Sequence, residues 1–209
     1  MTIQGGQTGD EKMRELILYL AAKSETDPRF SSTKLNKLLF YCDFGAYRQL
    51  GRSITGHSYR KLQFGPAPKT MLPILERMKG DQECVEIERD HFGHSQRRVI
   101  ALRSPDVSLF TSEELCLADS IIEELWESNA TEVSDLSHDF IGWKAAALNE
   151  VIPYETVFVG DPGLPVSEEE VEFCRLPHRS SRFWGHGRTT ESRKRSSLIS
   201  VADYRTEPG

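Results

Sequence analysis

The sequence predicts an α+β domain, mostly helical, organised around one central hydrophobic helix and carrying an inserted β-hairpin. Three observations lead there. Residues 33–50 repeat Leu35, Leu38, Leu39, Cys42 and Ala46 at helical spacing, while Phe40, Tyr41, Phe44 and Tyr47 fill much of the remaining circumference. Other segments show one apolar stripe each, as in Met13, Leu16, Ile17 and Leu20, which marks helices that lie against such a centre. Finally, the strand-like runs 84–88 and 96–102 are joined by ERDHFGHS, where Gly93 supplies a left-handed turn position.

Taken in order, Met1 to Gly9 read as a loose leader, and Asp10 is placed to cap a helix that runs to about Lys23. The turn-rich SETDPRF, broken by Pro28, leads to the central helix. Ser31, Ser32 or Thr33 caps its start, and Gly51 supplies the left-handed residue at its end. Gly51 to Gly56 forms a crossing, His57 to Phe64 a short strand or extended segment, and Gly65-Pro66-Ala67-Pro68 a turn. A third helix starts near Thr70, so that Pro73 falls within its first turn, where a missing N–H costs nothing; Met71, Leu72, Leu75 and Met78 carry it to Gly80.

After the hairpin, Thr111 and Glu114 have capping-box spacing and Phe110 and Leu115 hydrophobic-staple spacing. The helix they start buries Leu115, Ala118, Ile121, Ile122 and Leu125 and ends near Trp126 to Asn129. A further helix is expected from Thr131 through Leu136 and Phe140 toward Trp143, weakened at Gly142, followed by an extended stretch from Val151 to Phe158. Composition shifts at Gly160. The expected organisation is a flexible leader over 1–10, the domain over 11–159, and a hinge, a short acidic helix from Ser167 and a disordered basic tail over 160–209, in which Phe183-Trp184 is a candidate anchor.

Composition narrows the function classes. With 209 residues and 38% hydrophobic content the chain suits one well-buried domain plus an appendage. A net charge of −6 argues against bulk attraction to nucleic acid or anionic membrane. An apolar run of membrane-spanning length is absent and the polar N-terminus lacks a signal core, so a cytoplasmic protein is expected. Cys42, Cys84, Cys116 and Cys174 are widely scattered, which predicts reduced thiols.

No catalytic constellation assembles in the sequence. His91 and His94 lack the Cys or carboxylate pattern that completes a metal site, and Ser137-His138-Asp139 are neighbours on one helix, which do not face one another as a triad must. His138 is expected to be half-buried and hydrogen-bonded to the central helix. Asp43, a carboxylate in a largely apolar helix, needs a donor or water: either a structural ion pair with Lys34, Lys37, Arg60 or His138, or a place in a groove offered to another protein. On the hairpin, Arg89, Arg97, Arg98 and Arg103 form either a solvated face balanced by Glu83, Glu86, Glu88 and Asp90 or a wing that touches phosphate.

One stretch adds a family. Lys34, Leu35, Lys37, Leu38, Leu39, Phe40, Tyr41 and Asp43, then Gly51, Ile54, Gly56, Tyr59, Gly65 and Pro66, resemble the signature of Panacea-domain proteins, the SocA-like and phage-associated GepA-like antitoxins. Ser137-His138, Trp143 and Ile152-Pro153-Tyr154-Glu155 resemble that family's C-terminal segments, so the likeness spans about Glu11 to Val159. The resemblance implies an antitoxin that needs no cofactor and neutralises a cognate toxin, encoded by an adjacent gene, by direct contact in a toxin–antitoxin or phage-defence module. The expected contact surface is Tyr41, Asp43, Tyr47, Tyr59, Lys61 and Phe64, with Tyr41 and Tyr47 equally suited to the core. The alternatives are a transcription regulator that binds DNA through the hairpin or tail, and an adaptor that delivers a partner to a protease.

Overall fold

The computed structural model describes residues 5–91 and 94–159, with side chains for 9–89 and 95–159. What the sequence suggests for 160–209 lies outside the described residues, as do the side chains of His91 and His94. The elements are α1 (Gly5–Lys23), α2 (Ser32–Leu50), β1 (Tyr59–Leu62), β2 (Gly65–Pro68), α3 (Met71–Gly80), β3 (Cys84–His91), β4 (His94–Ala101), α4 (Ser112–Leu125), α5 (Ala130–His138), α6 (Ile141–Ala145) and β5 (Val151–Ile152). Two 3-10 turns, Val107–Leu109 and Tyr154–Phe158, complete them. The α+β class and the central helix stand as expected.

α2 is the hub. Ser31 caps it by accepting from the Lys34 N–H at 3.1 Å, and Gly51, at φ 71°, closes it by donating to Tyr47 O. From Lys34 to Ala46 every residue except Asn36 is buried, which leaves no polar face. Around it pack α1, α4, α5, β2, β4 and the 154–158 turn. Phe40, Phe44, Tyr59, Phe140 and Tyr154 form its aromatic centre; Phe44 lies 4.5 Å from Phe40 and 4.6 Å from Tyr154 between ring centroids.

Two small antiparallel sheets lean on this bundle. One has the order β2-β1-β5, with Leu62 opposite Gly65, Tyr59 opposite Pro68, and Tyr59 opposite Ile152. The other is the β3–β4 hairpin, paired from Cys84–Ala101 to His91–His94. Thr111 and Glu114 do form a capping box at α4, and Pro73 sits inside the first turn of α3.

Four expectations are corrected. α1 begins at Gly5 rather than at Asp10; Asp10 bonds instead to Arg77, with His57 Nε2 3.4 Å away. Gly65–Pro68 is a strand, not a turn. Its two prolines are tolerated because β2 is the edge of its sheet. The helix expected from Thr131 toward Trp143 is two helices: Asn129 forms a capping box with Glu132, and Phe140 adopts an extended ψ of 126° so that its ring can enter the aromatic centre. The extended stretch after Val151 becomes a 3-10 turn at Tyr154, which folds Tyr154 back onto Phe44.

Candidate partner-binding face

The signature polar residues of α2 are interior fasteners. Lys34 is 1% exposed; its Nζ meets Asp27 at 2.7 Å and donates to Trp126 O and Ser128 O at 3.0 and 2.9 Å, closing the carbonyl end of α4 with a positive charge. Lys37, 2% exposed, donates to Pro66 O at 3.1 Å and has no carboxylate beside it, so burial pulls its pKa down to about 7. Asp43, fully buried, accepts from the Thr55 N–H at 2.8 Å, from the Thr55 hydroxyl, and from the Tyr59 hydroxyl at 2.7 Å. Burial raises its pKa, opposed by those hydrogen bonds.

These positions decide several expectations. Tyr41, Asp43 and Tyr59 are 5%, 0% and 0% exposed, so they cannot offer a contact surface as the folded domain stands. Asp43 uses neutral donors rather than Lys34, Lys37, Arg60 or His138, and its work is to tie the Thr55 crossing and β1 to α2. His138 does not bond to α2. It stacks on Trp143 at 4.1 Å and its buried Nε2 has no hydrogen-bond partner, while burial and then nearby Lys37 lower its pKa.

The hairpin arginines divide in the same way. Arg98 is 4% exposed and donates to the backbone oxygens of Asp27 at 2.7 Å, Ser24 at 2.8 Å, and Glu25, clamping the turn after α1. Arg103 bonds to Glu15 and Glu83. Arg89 and Arg97 remain exposed, so half of the expected solvated or phosphate-facing set is engaged in holding the fold together.

Lys61, Phe64 and Tyr47 do reach the surface. Lys61 donates to Ala146 O at 2.9 Å and lies 4.2 Å from the Trp143 ring centroid; Trp143 in turn donates to Leu62 O at 3.2 Å. The β1–β2 turn beyond them holds Leu62, 39% exposed, and Phe64, 69% exposed. The strand is fixed on its other side, where Asn149 N–H donates to Lys61 O and Lys61 N–H to Glu150 O, in a segment that also holds exposed Leu148 and Val151. Tyr47 stands apart, at the end of α2, with its ring stacked on Tyr154 at 5.3 Å, exposed Phe158 at 6.0 Å, and its hydroxyl donating to Glu155.

Sequence reasoning missed Leu62, Trp143, Leu148 and Val151 as surface residues. Their signal was weak: single apolar residues at strand ends and in a turn carry no periodicity that tells an exposed position from a buried one. Among the described residues no group of three or more His, Cys, Asp or Glu could hold a metal ion. Cys42, Cys84 and Cys116 are free thiols.

The family model for antitoxin SocA-like proteins with the Panacea domain matches residues 35–144, more than half of the chain. The chain belongs to that family. The matched part of this Panacea domain runs from α2 to α6 and contains Lys37, Asp43, Lys61, Phe64, His138 and Trp143; Tyr154 and Phe158 lie beyond it. Comparisons with curated proteins and with solved structures give no significant match. Among the described residues no helix is long and apolar enough to cross a membrane. An antitoxin-like role is what family membership supports.

Proposed function

We propose that this Panacea domain neutralises a cognate toxin by direct, non-covalent contact, in the cytoplasm, within a toxin–antitoxin or phage-defence module. The observation that carries the reading is the rim at the β1–β2 turn. Phe64 and Leu62 stand exposed on a turn whose backbone is pinned by Ser134 Oγ on Phe64 O, Trp143 on Leu62 O and Lys37 on Pro66 O. An aromatic anchor on a pre-organised turn loses little entropy on binding, and such anchors dominate the energetics of protein interfaces. A standard interface of about 1,600 Å² centred on the turn is enough to cover a toxin's working surface. The contact set becomes Lys61, Phe64, Leu62, Leu148 and Val151, with Tyr47 and Phe158 as an outlying patch.

The test is genetic and biochemical. The chain is expressed with its neighbouring open reading frame, growth is scored for each alone and together, and a tagged chain is used for pull-down. A neighbour that is toxic alone, harmless with this protein and recovered with it supports the reading. A harmless neighbour and an empty pull-down reject it for that pair. The DNA-binding alternative is left with fewer free cations, since Arg98 and Arg103 are engaged within the domain. A protease-adaptor role through the tail rests on residues outside the description.

A further inference from the structure

The sheet β2-β1-β5 rests one face on α2 and turns the other outward. Tyr59, Pro68 and Ile152 are buried, with the Tyr59 ring against Phe40 and Phe44. Side chains alternate across a strand, so the residues between them face away: Arg60, with Ala67 opposite it on β2 and Val151 opposite it on β5, and Leu62 two positions further. One more step of the ladder, Lys69 N–H to Ser58 O at 2.9 Å, places Lys69 diagonal to Arg60 on that face, a spacing of about 7–8 Å between strand neighbours. Ser58, Leu62, Lys69 and Val151 are exposed, and Arg60 is half-buried.

The charge on this face is one-sided. Residues 44–75 hold Arg48, Arg52, Arg60, Lys61 and Lys69 and no Asp or Glu, in a chain whose net charge is −6. Elsewhere Lys12, Arg14, Lys34, Arg77 and Arg103 each meet a carboxylate; among the described residues Arg60, Lys61 and Lys69 meet none. Lys61 is engaged by Ala146 O and the Trp143 ring, which leaves Arg60 and Lys69 open, and the Arg60 Nε is buried without a hydrogen-bond partner. The acids that flank β5 in the chain are committed as well: Glu150 accepts from Ala147 N–H at 2.6 Å and Glu155 from the Tyr47 hydroxyl. A half-buried guanidinium without an anion is an incomplete site that an arriving carboxylate completes, and arginine set among apolar side chains is a composition that protein interfaces enrich.

We propose that this outward sheet face takes an acidic segment of the toxin, its carboxylates on Arg60 and Lys69 and its apolar side chains on Leu62 and Val151. The proposal rests on the antitoxin reading above and supplies the chemistry of the toxin surface that reaches the adjoining β1–β2 turn. A protein carboxylate is favoured over a nucleic acid because the net charge of −6 repels an extended polyanion, while a short acidic segment meets only the local field.

A titration without any toxin tests the chemistry of the face. A short peptide of alternating Glu and Val is added to the isotope-labelled full chain and followed by amide NMR at about 20 mM salt, with an oligothymidylate of equal charge as the second probe. The peptide should shift the amides of residues 58–62, Lys69 and Val151, and its affinity should fall at least about tenfold on raising the salt to about 200 mM. Arg60→Glu combined with Lys69→Glu should abolish the shifts, and Lys69→Glu alone, at an exposed position that the fold tolerates, should weaken them. Absence of shifts at this face, binding unchanged by Lys69→Glu, or tighter binding of the oligonucleotide overturns the proposal. The double variant then enters the pull-down with the neighbouring open reading frame. Loss of a neighbour that the wild type recovers extends the result to the toxin, and equal recovery overturns it. A wild type that recovers no neighbour rejects that toxin pairing and not the face, which the peptide has already decided.

Discussion

At the scale of single residues, the charges on α2 are set by burial. Lys37 is held in the folded state with its pKa near 7, against an ordinary value of 10.5, so the unfolded chain binds more protons between those values. Stability therefore rises with pH from about 7 to about 10, and the cost is fully present below pH 7. The variant Lys37→Met should remove that rise, measured as urea midpoints at pH 7 and pH 9.5; an unchanged slope would show that the ammonium finds compensation elsewhere. Asp43 gives a different prediction. Asp43→Ala leaves the Thr55 N–H, the Thr55 hydroxyl and the Tyr59 hydroxyl without their acceptor in a dry interior, and should cost about 3–5 kcal/mol by urea denaturation. Tyr59, fully buried beside it, belongs with it: Tyr59→Ala is expected to impair rescue by unfolding the domain, not by removing a contact.

At the scale of elements, junctions matter more than lengths. The start of α4 is joined to α1 through Glu114, 1% exposed, which accepts from the Thr111 N–H at 3.0 Å and from Lys12 at 3.0 and 2.8 Å. Glu114→Ala should lower stability by about 2–3 kcal/mol and Glu114→Gln by less, because glutamine keeps the capping oxygen and loses only the charge. Equal melting points for the two variants would assign the whole effect to the Lys12 pair. The β1–β2 junction is tighter. Gly65 has φ +96°, and an added Cβ would stand 2.3 Å from Ser137 Oγ and 2.6 Å from Lys37 Nζ. Gly65→Ala should thus cost more than about 2 kcal/mol and loosen the turn that presents Phe64. The capping box at Thr111 was legible in the sequence because its residues are three apart and local. The close approach at Gly65 was not, since Lys37 and Ser137 come from helices far away in the chain.

At the scale of the molecule, the proposed toxin-facing rim is tested by surface change alone. Phe64→Asp combined with Leu148→Asp should abolish toxin rescue and pull-down while leaving the melting temperature within a few degrees, because both side chains are more than half exposed. Rescue at wild-type level by that variant would move the interface away from the turn. The sequence by itself determined the helical plan, since periodicity, caps and glycine signals are local: the ends of α2, the capping box of α4, the place of Pro73 and the hairpin all follow from residues within a few positions of one another. It also determined the family, through the ordered residues that the family model matches over 35–144. What only the tertiary structure decided is which polar and aromatic side chains face inward. Along the chain Tyr41 suits core or surface, Asp43 a structural pair or a groove, and Arg98 a solvated face or phosphate; Thr55, the Phe40–Phe44–Phe140 cluster and the turn at residues 24–27 settle where they lie once distant segments meet. The exposure of Leu62, Phe64, Leu148 and Val151 is decided at the same level for the converse reason, because a surface exists only after the chain has closed around its core.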